Sequence, residues 1–215
     1  MKIFLDTADT EVISRHFATG LIDGVTTNPS LIMKSGRDPE DVYQELIDLG
    51  IKDISMEVVG NGIEMAREGE RLYNKFGKCA TIKVPCTPDG LYACRVLSKN
   101  LINVNVTLIF SAAQAILAAK AGATYVSPFV GRLDDNSVAG LEVVRSIAGV
   151  YQVQGVHTQV LAASIRTVQR AVRSWYNGAQ VVTMPPKVFE DMYNHVLTDK
   201  GLEIFDNDWK AVQSR

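Results

Sequence analysis

The chain has 215 residues, with 22 Lys and Arg against 24 Asp and Glu, a formal net charge of −2. That balance gives no basic stripe for nucleic acid, and a composition that is 47% hydrophobic and 21% charged is not that of a disordered chain. Apolar runs such as Ala115 to Ala119 fall far short of the ~20 residues of a membrane helix, so no membrane partner is expected. Met1-Lys2-Ile3-Phe4-Leu5-Asp6 meets an acid after three apolar residues, unlike a secretory signal. Cys79, Cys86 and Cys94 are odd in number and form no C-x-x-C pair, which reads as reduced thiols in a cytoplasmic protein. His16, His157 and His195 are scattered and no H-E-x-x-H occurs, so no metal site is expected. No linker divides the sequence, and residues 1–215 read as one domain.

In chain order, short runs rich in β-branched residues alternate with longer helical runs. Eight strands are expected: Lys2–Asp6, Gly24–Asn28, Asp53–Val59, Ala80–Pro85, Val104–Phe110, Thr124–Val130, Gln159–Ser164 and Val181–Pro185. Between them, Asp38-Pro39-Glu40-Asp41 reads as a helix N-cap, a first-turn Pro and early acids. Ser111-Ala112-Ala113-Gln114 fits a capping box, and Gly122 and Gly178 stand where helices should stop. Eight strands alternating with helices favour a closed (β/α)₈ TIM barrel over a doubly wound sheet. Beyond the last strand, Leu202, Phe205, Trp209 and Val212 recur at helical spacing, so 197–215 is expected as a helical tail. It either closes one end of the barrel, forms a lid, or contacts another subunit.

Polar residues interrupt the expected strands late in their length. In a barrel, inward side chains near the C-terminal strand ends face the active-site mouth. Those positions hold Asp6, Thr26 and Asn28, Glu57, Lys83, Asn105 and Thr107, Ser127 and Phe129 with Arg132 just beyond, and Ser164 with Arg166 two residues on. Ile82 and Val84 flank Lys83 and must face the helices if Lys83 faces the lumen. A single buried Ser or Thr is an ordinary satisfied core group. A buried Lys with two carboxylates is harder to reconcile with a purely structural role, because Lys, Glu and Asp are rarely buried unpaired and buried ion pairs add little stability.

Schiff-base chemistry calls for a buried Lys. Burial disfavours the ammonium and makes a neutral amine available to attack a ketone. One acid then carries protons during dehydration, and another takes the proton from the hydroxyl whose C–C bond breaks. Asn and Thr side chains suit sugar hydroxyls. Arg132 and Arg166 offer planar forks for a phosphate, although either could equally form a surface ion pair.

Five words carry a resemblance: Leu5-Asp6-Thr7, Gly24-Val25-Thr26-Thr27-Asn28-Pro29-Ser30, Ile82-Lys83-Val84-Pro85, Ser127-Pro128-Phe129-Val130 with Arg132, and Leu161-Ala162-Ala163-Ser164. In this order they resemble the transaldolase family, in its small-subunit branch that includes fructose-6-phosphate aldolase. The resemblance implies a cofactor-free and metal-free transferase of sugar phosphates, acting in the pentose phosphate pathway, with Lys83 as the Schiff-base lysine. It implies Asp6 as the acid/base at the cleaved bond and Glu57 with Thr107 around a catalytic water. It implies Asn28 and Asn105 on the dihydroxyacetone unit, and Ser164, Arg132 and Arg166 on the phosphate. Thr26, Ser127 and Phe129 complete the expected binding residues.

Glu57, Asn105 and Phe129 resemble the transaldolases. The aldolase members carry Gln and Tyr at the positions of Glu57 and Phe129. A Tyr hydroxyl or a differently placed water can protonate the enamine, whereas Phe has no proton to give. The resemblance further implies a ring-forming homo-oligomer whose C-terminal helix reaches a neighbour. Three other readings remain open at this level: an aldolase releasing free dihydroxyacetone, a phosphosugar isomerase, and a barrel that binds sugar phosphates without turnover. Gly60-Asn61-Gly62 reads as a plain turn, since Met65 stands where a dinucleotide fingerprint needs its third Gly. Cys86 reads as a small core hydrophobe.

Overall fold

The computed structural model of the chain describes residues 1–214. The first half runs β1 (Lys2–Asp6), α1 (Thr10–Phe17), β2 (Gly24–Thr26), α2 (Pro29–Ser35), α3 (Pro39–Asp48), β3 (Ile54–Glu57), α4 (Gly62–Phe76), β4 (Ala80–Pro85) and α5 (Pro88–Lys99). The second half runs β5 (Val104–Ile109), α6 (Ala112–Ala121), β6 (Tyr125–Pro128), α7 (Val130–Asp135), α8 (Gly140–Gln154), β7 (Gln159–Ala162), α9 (Val168–Tyr176), β8 (Val181–Met184), α10 (Pro186–Asp191) and α11 (Val196–Gln213). Each strand pairs in parallel with the next and β8 returns to β1, so the sheet closes into the expected (β/α)₈ barrel.

Local chemistry sets the helix starts. Asn28, Asp38, Asn61, Thr87, Ser111 and Thr167 each accept a backbone N–H from the first turn of the helix that follows. The Gly60-Asn61-Gly62 turn is thereby a capping box, with the Glu64 carboxylate accepting from Asn61 N. At Ser111 only half of the expected box forms. Gln114 Oε1 accepts from Phe110 N instead, at 2.8 Å. Gly122 ends α6 in the left-handed region at φ 95°.

Six strands are shorter at their C-terminal ends than the apolar pattern suggests. The cause is that the chain leaves the ladder to build the mouth. Asn28 is the N-cap of α2, Phe129 precedes α7, and Ser164 turns away at φ 57°. A register shift between Val106 and Ile109 bends β5 where Leu108 adopts φ 57°.

Alternation along the strands makes two cores. Outward residues, including Leu5, Val25, Met56, Ile82, Val84, Val104, Val126 and Val182, pack under the helices in one large apolar cluster. Inward residues form a smaller plug of Phe4, Tyr125, Leu161, Ala163 and Val181, with Phe129 against it. Below the plug, Tyr125 Oη donates to Asp53 Oδ2 at 2.7 Å and Thr81 Oγ1 to Asp53 Oδ1 at 2.8 Å. The Asp53 carboxyl is half-buried and pushed above its usual range by loss of hydration.

The tail departs from a cap over its own barrel. Val188 and Phe189 of α10 are buried, but α11 buries no residue, and Leu202, Phe205, Trp209 and Val212 are all more than half exposed. Among the described residues, no helix is long and apolar enough to cross a membrane.

Gly24 shows how tightly the plug is seated. A Cβ there would lie 2.6 Å from the Phe4 ring and 2.7 Å from Asp53 O. Gly24→Ala is expected to cost about 1–3 kcal/mol through overpacking, read from urea unfolding. An unchanged midpoint would show that the plug has slack.

Candidate active site

The C-terminal ends of the strands enclose a cavity of about 450 Å³. Eleven of the twelve residues singled out from the sequence line it: Asp6, Thr26, Asn28, Glu57, Lys83, Asn105, Thr107, Ser127, Phe129, Arg132 and Ser164. Strand register does most of this work. Glu57 is level with Lys83 and Lys83 with Asn105, so three neighbouring strands present one layer of inward polar groups.

Lys83 is 6% exposed. Its Nζ donates to Thr27 O at 2.9 Å and lies 3.0 Å from Glu57 Oε2. Both contacts draw the amine toward the β2–β3 wall, and they satisfy a buried cation that would otherwise be costly.

Asp6 sits across the lumen. Its Oδ1 accepts from Thr26 Oγ1 at 2.8 Å, and no protein donor is within hydrogen-bond range of Oδ2 among the described residues. Burial pushes the Asp6 carboxyl above the usual carboxylate range. The Thr26 hydroxyl and the Lys83 charge pull it back, and Glu57 adds a smaller upward push.

The Asn105 side chain is fixed at both ends. Its Oδ1 accepts from Ser127 Oγ at 2.7 Å and its Nδ2 donates to Ser55 Oγ at 3.2 Å. Asn28 spends its Oδ1 on the cap of α2, at 3.0 Å from Leu31 N, which leaves its Nδ2 uncommitted within the protein. Thr107 Oγ1 is buried without a protein partner, so its hydrogen-bonding capacity is available to a bound molecule.

At the rim, the Arg132 guanidinium lies 4.9 Å from the centre of the Phe129 ring, and Phe129 meets Phe110 edge to face. Ser164 holds α7 close, because its carbonyl accepts from Gly131 N at 3.0 Å. Only glycine fits there, since a Cβ would come 2.2 Å from Ser164 O. Ser164 and Leu108 are both non-glycine residues at positive φ, a strain that collects at functional sites.

Arg166 is the one residue not brought into the cavity lining; its guanidinium forms a two-pronged pair with the Asp135 carboxylate. The structure adds Ser30 and Lys34 from α2, and Thr183 from β8. Lys34 has no carboxylate within 4.0 Å among the described residues, but on an exposed helical turn nothing in the sequence marks it. Thr183 could have been found from the same alternation that exposed Thr26. Among the described residues, no group of three or more His, Cys, Asp or Glu is arranged to hold a metal ion.

A parallel eight-stranded barrel with a buried lysine, two carboxylates and several amide and hydroxyl groups at its mouth has the layout of a (β/α)₈ enzyme, with a primary amine beside acid–base groups at the C-terminal ends of the strands. Residues 3–215 match the family described as transaldolase/fructose-6-phosphate aldolase. A protein of Paracoccus denitrificans called probable transaldolase is 54% identical over 210 residues, covering 97% of this chain and 96% of that one. A probable transaldolase of Caulobacter vibrioides is 50% identical over 213 residues, covering 99% and 98%. One of Cereibacter sphaeroides is 51% identical over 210 residues, covering 97% and 95%. The chain belongs to the transaldolase/fructose-6-phosphate aldolase family and is an enzyme of it.

The raised Asp6 carboxyl has a consequence for stability. The fold binds that proton more tightly than the unfolded chain does, so this contribution is present below the ordinary carboxylate range and is lost as pH rises through the raised value. At neutral pH the charged carboxylate therefore opposes folding. Asp6→Asn, which keeps an acceptor for Thr26, is expected to raise Tm at pH 7 by ~2–4 °C while abolishing turnover. A lower Tm at pH 7 would contradict this account of the site.

Proposed function

We propose that the enzyme is a transaldolase. It moves a dihydroxyacetone unit from a ketose phosphate, sedoheptulose 7-phosphate or fructose 6-phosphate, to an aldose phosphate such as glyceraldehyde 3-phosphate, in the pentose phosphate pathway of the cytoplasm. The observation that carries this reading is Lys83 Nζ, buried 3.0 Å from Glu57 Oε2 in the cavity that also holds Asp6.

Attack on the ketone carbonyl needs the free amine, so one proton must leave Nζ. Glu57 Oε2 is the carboxylate oxygen in contact with it. The carbinolamine then loses water, with Glu57 returning the proton to the departing hydroxyl through a water that Thr107 Oγ1 helps to hold. The iminium draws electrons from the adjacent C–C bond. Asp6 Oδ2 takes the proton of the hydroxyl on the far carbon, the bond breaks, and an aldose phosphate leaves. A carboxylate whose proton affinity has been raised by burial is the stronger base for this step. The enamine left on Lys83 attacks the incoming aldehyde, Asp6 returns its proton to the new alkoxide, and hydrolysis frees the product.

Asn28 Nδ2 and Asn105 are suited to the hydroxyls of the three-carbon unit, with Thr26 and Ser127 lining the same space. Arg132 and Ser164 are suited to the phosphate at the rim. Arg166 would join them only by leaving Asp135.

The alternative within the family is an aldolase that protonates the enamine and releases dihydroxyacetone. Phe129 supports transfer over release. No tyrosine lines the cavity among the described residues, and a phenyl ring cannot donate a proton. We extend the proposal to a ring-forming homo-oligomer. The apolar stripe of α11 is left uncovered by its own barrel, which supports burial against a second copy.

The test is product analysis. With sedoheptulose 7-phosphate and glyceraldehyde 3-phosphate, fructose 6-phosphate should form. With fructose 6-phosphate alone, no multiple-turnover release of dihydroxyacetone should occur, and steady release would favour the aldolase. Phe129→Tyr should raise that release, with up to ~100-fold available to a well placed proton donor. An unchanged product ratio would reject Phe129 as the source of specificity.

A further inference from the structure

Thr183 of β8 is buried at 2% exposure, and its hydroxyl oxygen lies 2.6 Å from Thr26 Oγ1. Thr26 Oγ1 lies in turn 2.8 Å from Asp6 Oδ1. The order of hydrogens along this row follows from counting donors. An ionised carboxylate only accepts. The single Thr26 hydrogen therefore goes to Asp6, and the Thr183 hydrogen goes to Thr26.

The reverse order would need Asp6 protonated on Oδ1, donating to Thr26, which would donate to Thr183. The Thr183 hydroxyl would then need an acceptor, and it has no other partner among the described residues. Reversal thus buries an unsatisfied donor. The row runs one way, and it leaves Oδ2 as the oxygen on which a proton can land.

We propose that Thr183 is a positioning residue for the proposed transfer reaction, acting through Thr26 to keep Asp6 Oδ1 occupied and Oδ2 open for the substrate hydroxyl. This deepens the transaldolase reading and rests on it for the role of Asp6. Asp6 is faced by Lys83 from β4 and Glu57 from β3, which act on its proton affinity in opposite directions. Neither hydrogen-bonds Thr183, and Thr183 bonds Thr26 and not Asp6, so the hydrogen-bonded route from Thr183 to Asp6 runs through Thr26.

The test compares Thr183→Val, which removes the hydroxyl at similar volume, with Thr183→Ser, which keeps it. Asp6 must be ionised to accept a proton, so activity falls as pH drops through its titration. In the valine variant that acid limb of kcat should move up by about 0.5–1 pH unit, the effect of weakening one charge-assisted hydrogen bond. Below the limb kcat should fall about three- to tenfold. Above it, kcat and KM should stay within about twofold, and the serine variant should follow the unaltered enzyme throughout. A merely structural role would lower Tm, or lower kcat equally at every pH.

A second readout needs no substrate. The ¹³C carboxyl titration of Asp6 should move up by the same amount in the valine variant. A folded valine variant with both the acid limb and this titration unmoved overturns the proposal. If the titration moves in a protein that performs no transfer, the row stands and the transaldolase reading falls. If transfer proceeds and the titration is unmoved, the reverse holds. Should the valine variant not fold, the Thr183 hydroxyl proton of the unaltered enzyme decides. Its NMR shift must change as Asp6 ionises, and a shift that stays flat through that titration overturns the proposal.

Discussion

Lys83 is held by two oxygens, Glu57 Oε2 and Thr27 O, inside a barrel whose remaining lumen is closed by Phe4, Tyr125, Leu161 and Val181. That arrangement imposes the rest. A buried cation tolerates only a small set of surroundings, so the neighbouring strands must bring a carboxylate to its level and the next turn must offer a carbonyl. Parallel register supplies the first, since Glu57 and Lys83 are partners across β3 and β4. The turn that leads into α2 supplies the second, because Thr27 lies between the end of β2 and the Asn28 cap. One amine is thereby fixed in reach of an acid that can take and return its proton.

The two carboxylates differ because their surroundings differ. Glu57 pairs with a cation, whereas Asp6 has no ion pair within 4 Å among the described residues and leans on one hydroxyl. In the proposed transfer reaction this division assigns one acid to the amine and the other to the sugar hydroxyl. It also loads the fold with a charge that opposes folding, which is the usual relation between an active site and the stability of the scaffold around it. Below the site, the apolar plug of Phe4, Tyr125, Leu161, Ala163 and Val181 fills the floor of the barrel, and its burial offsets that cost.

The barrel and most of the cavity were legible in the sequence for one physical reason. Inward and outward positions alternate, so polar residues among apolar neighbours reveal which face points to the lumen. Lys83 between Ile82 and Val84 is the clearest case. The strand ends were less legible, because residues such as Asn28, Phe129 and Ser164 keep the strand-like sequence after the backbone has left the ladder. Alternation places Thr183 on the inward face, but its meaning lies in a contact with Thr26 that is 157 positions away in sequence. Lys34 sits on a short helix whose register over the mouth no local pattern encodes. Arg166 carried the right chemistry for a phosphate, yet Asp135 is 31 positions away and its claim on that guanidinium is invisible without the fold.

The central claim is that the Lys83 amine forms the bond to the substrate. Borohydride reduction in the presence of a ketose phosphate donor, followed by peptide mass spectrometry, tests it most directly. The account predicts a three-carbon adduct on Lys83 and on no other lysine, absent when the donor is omitted. No adduct, or an adduct on another residue, would contradict it.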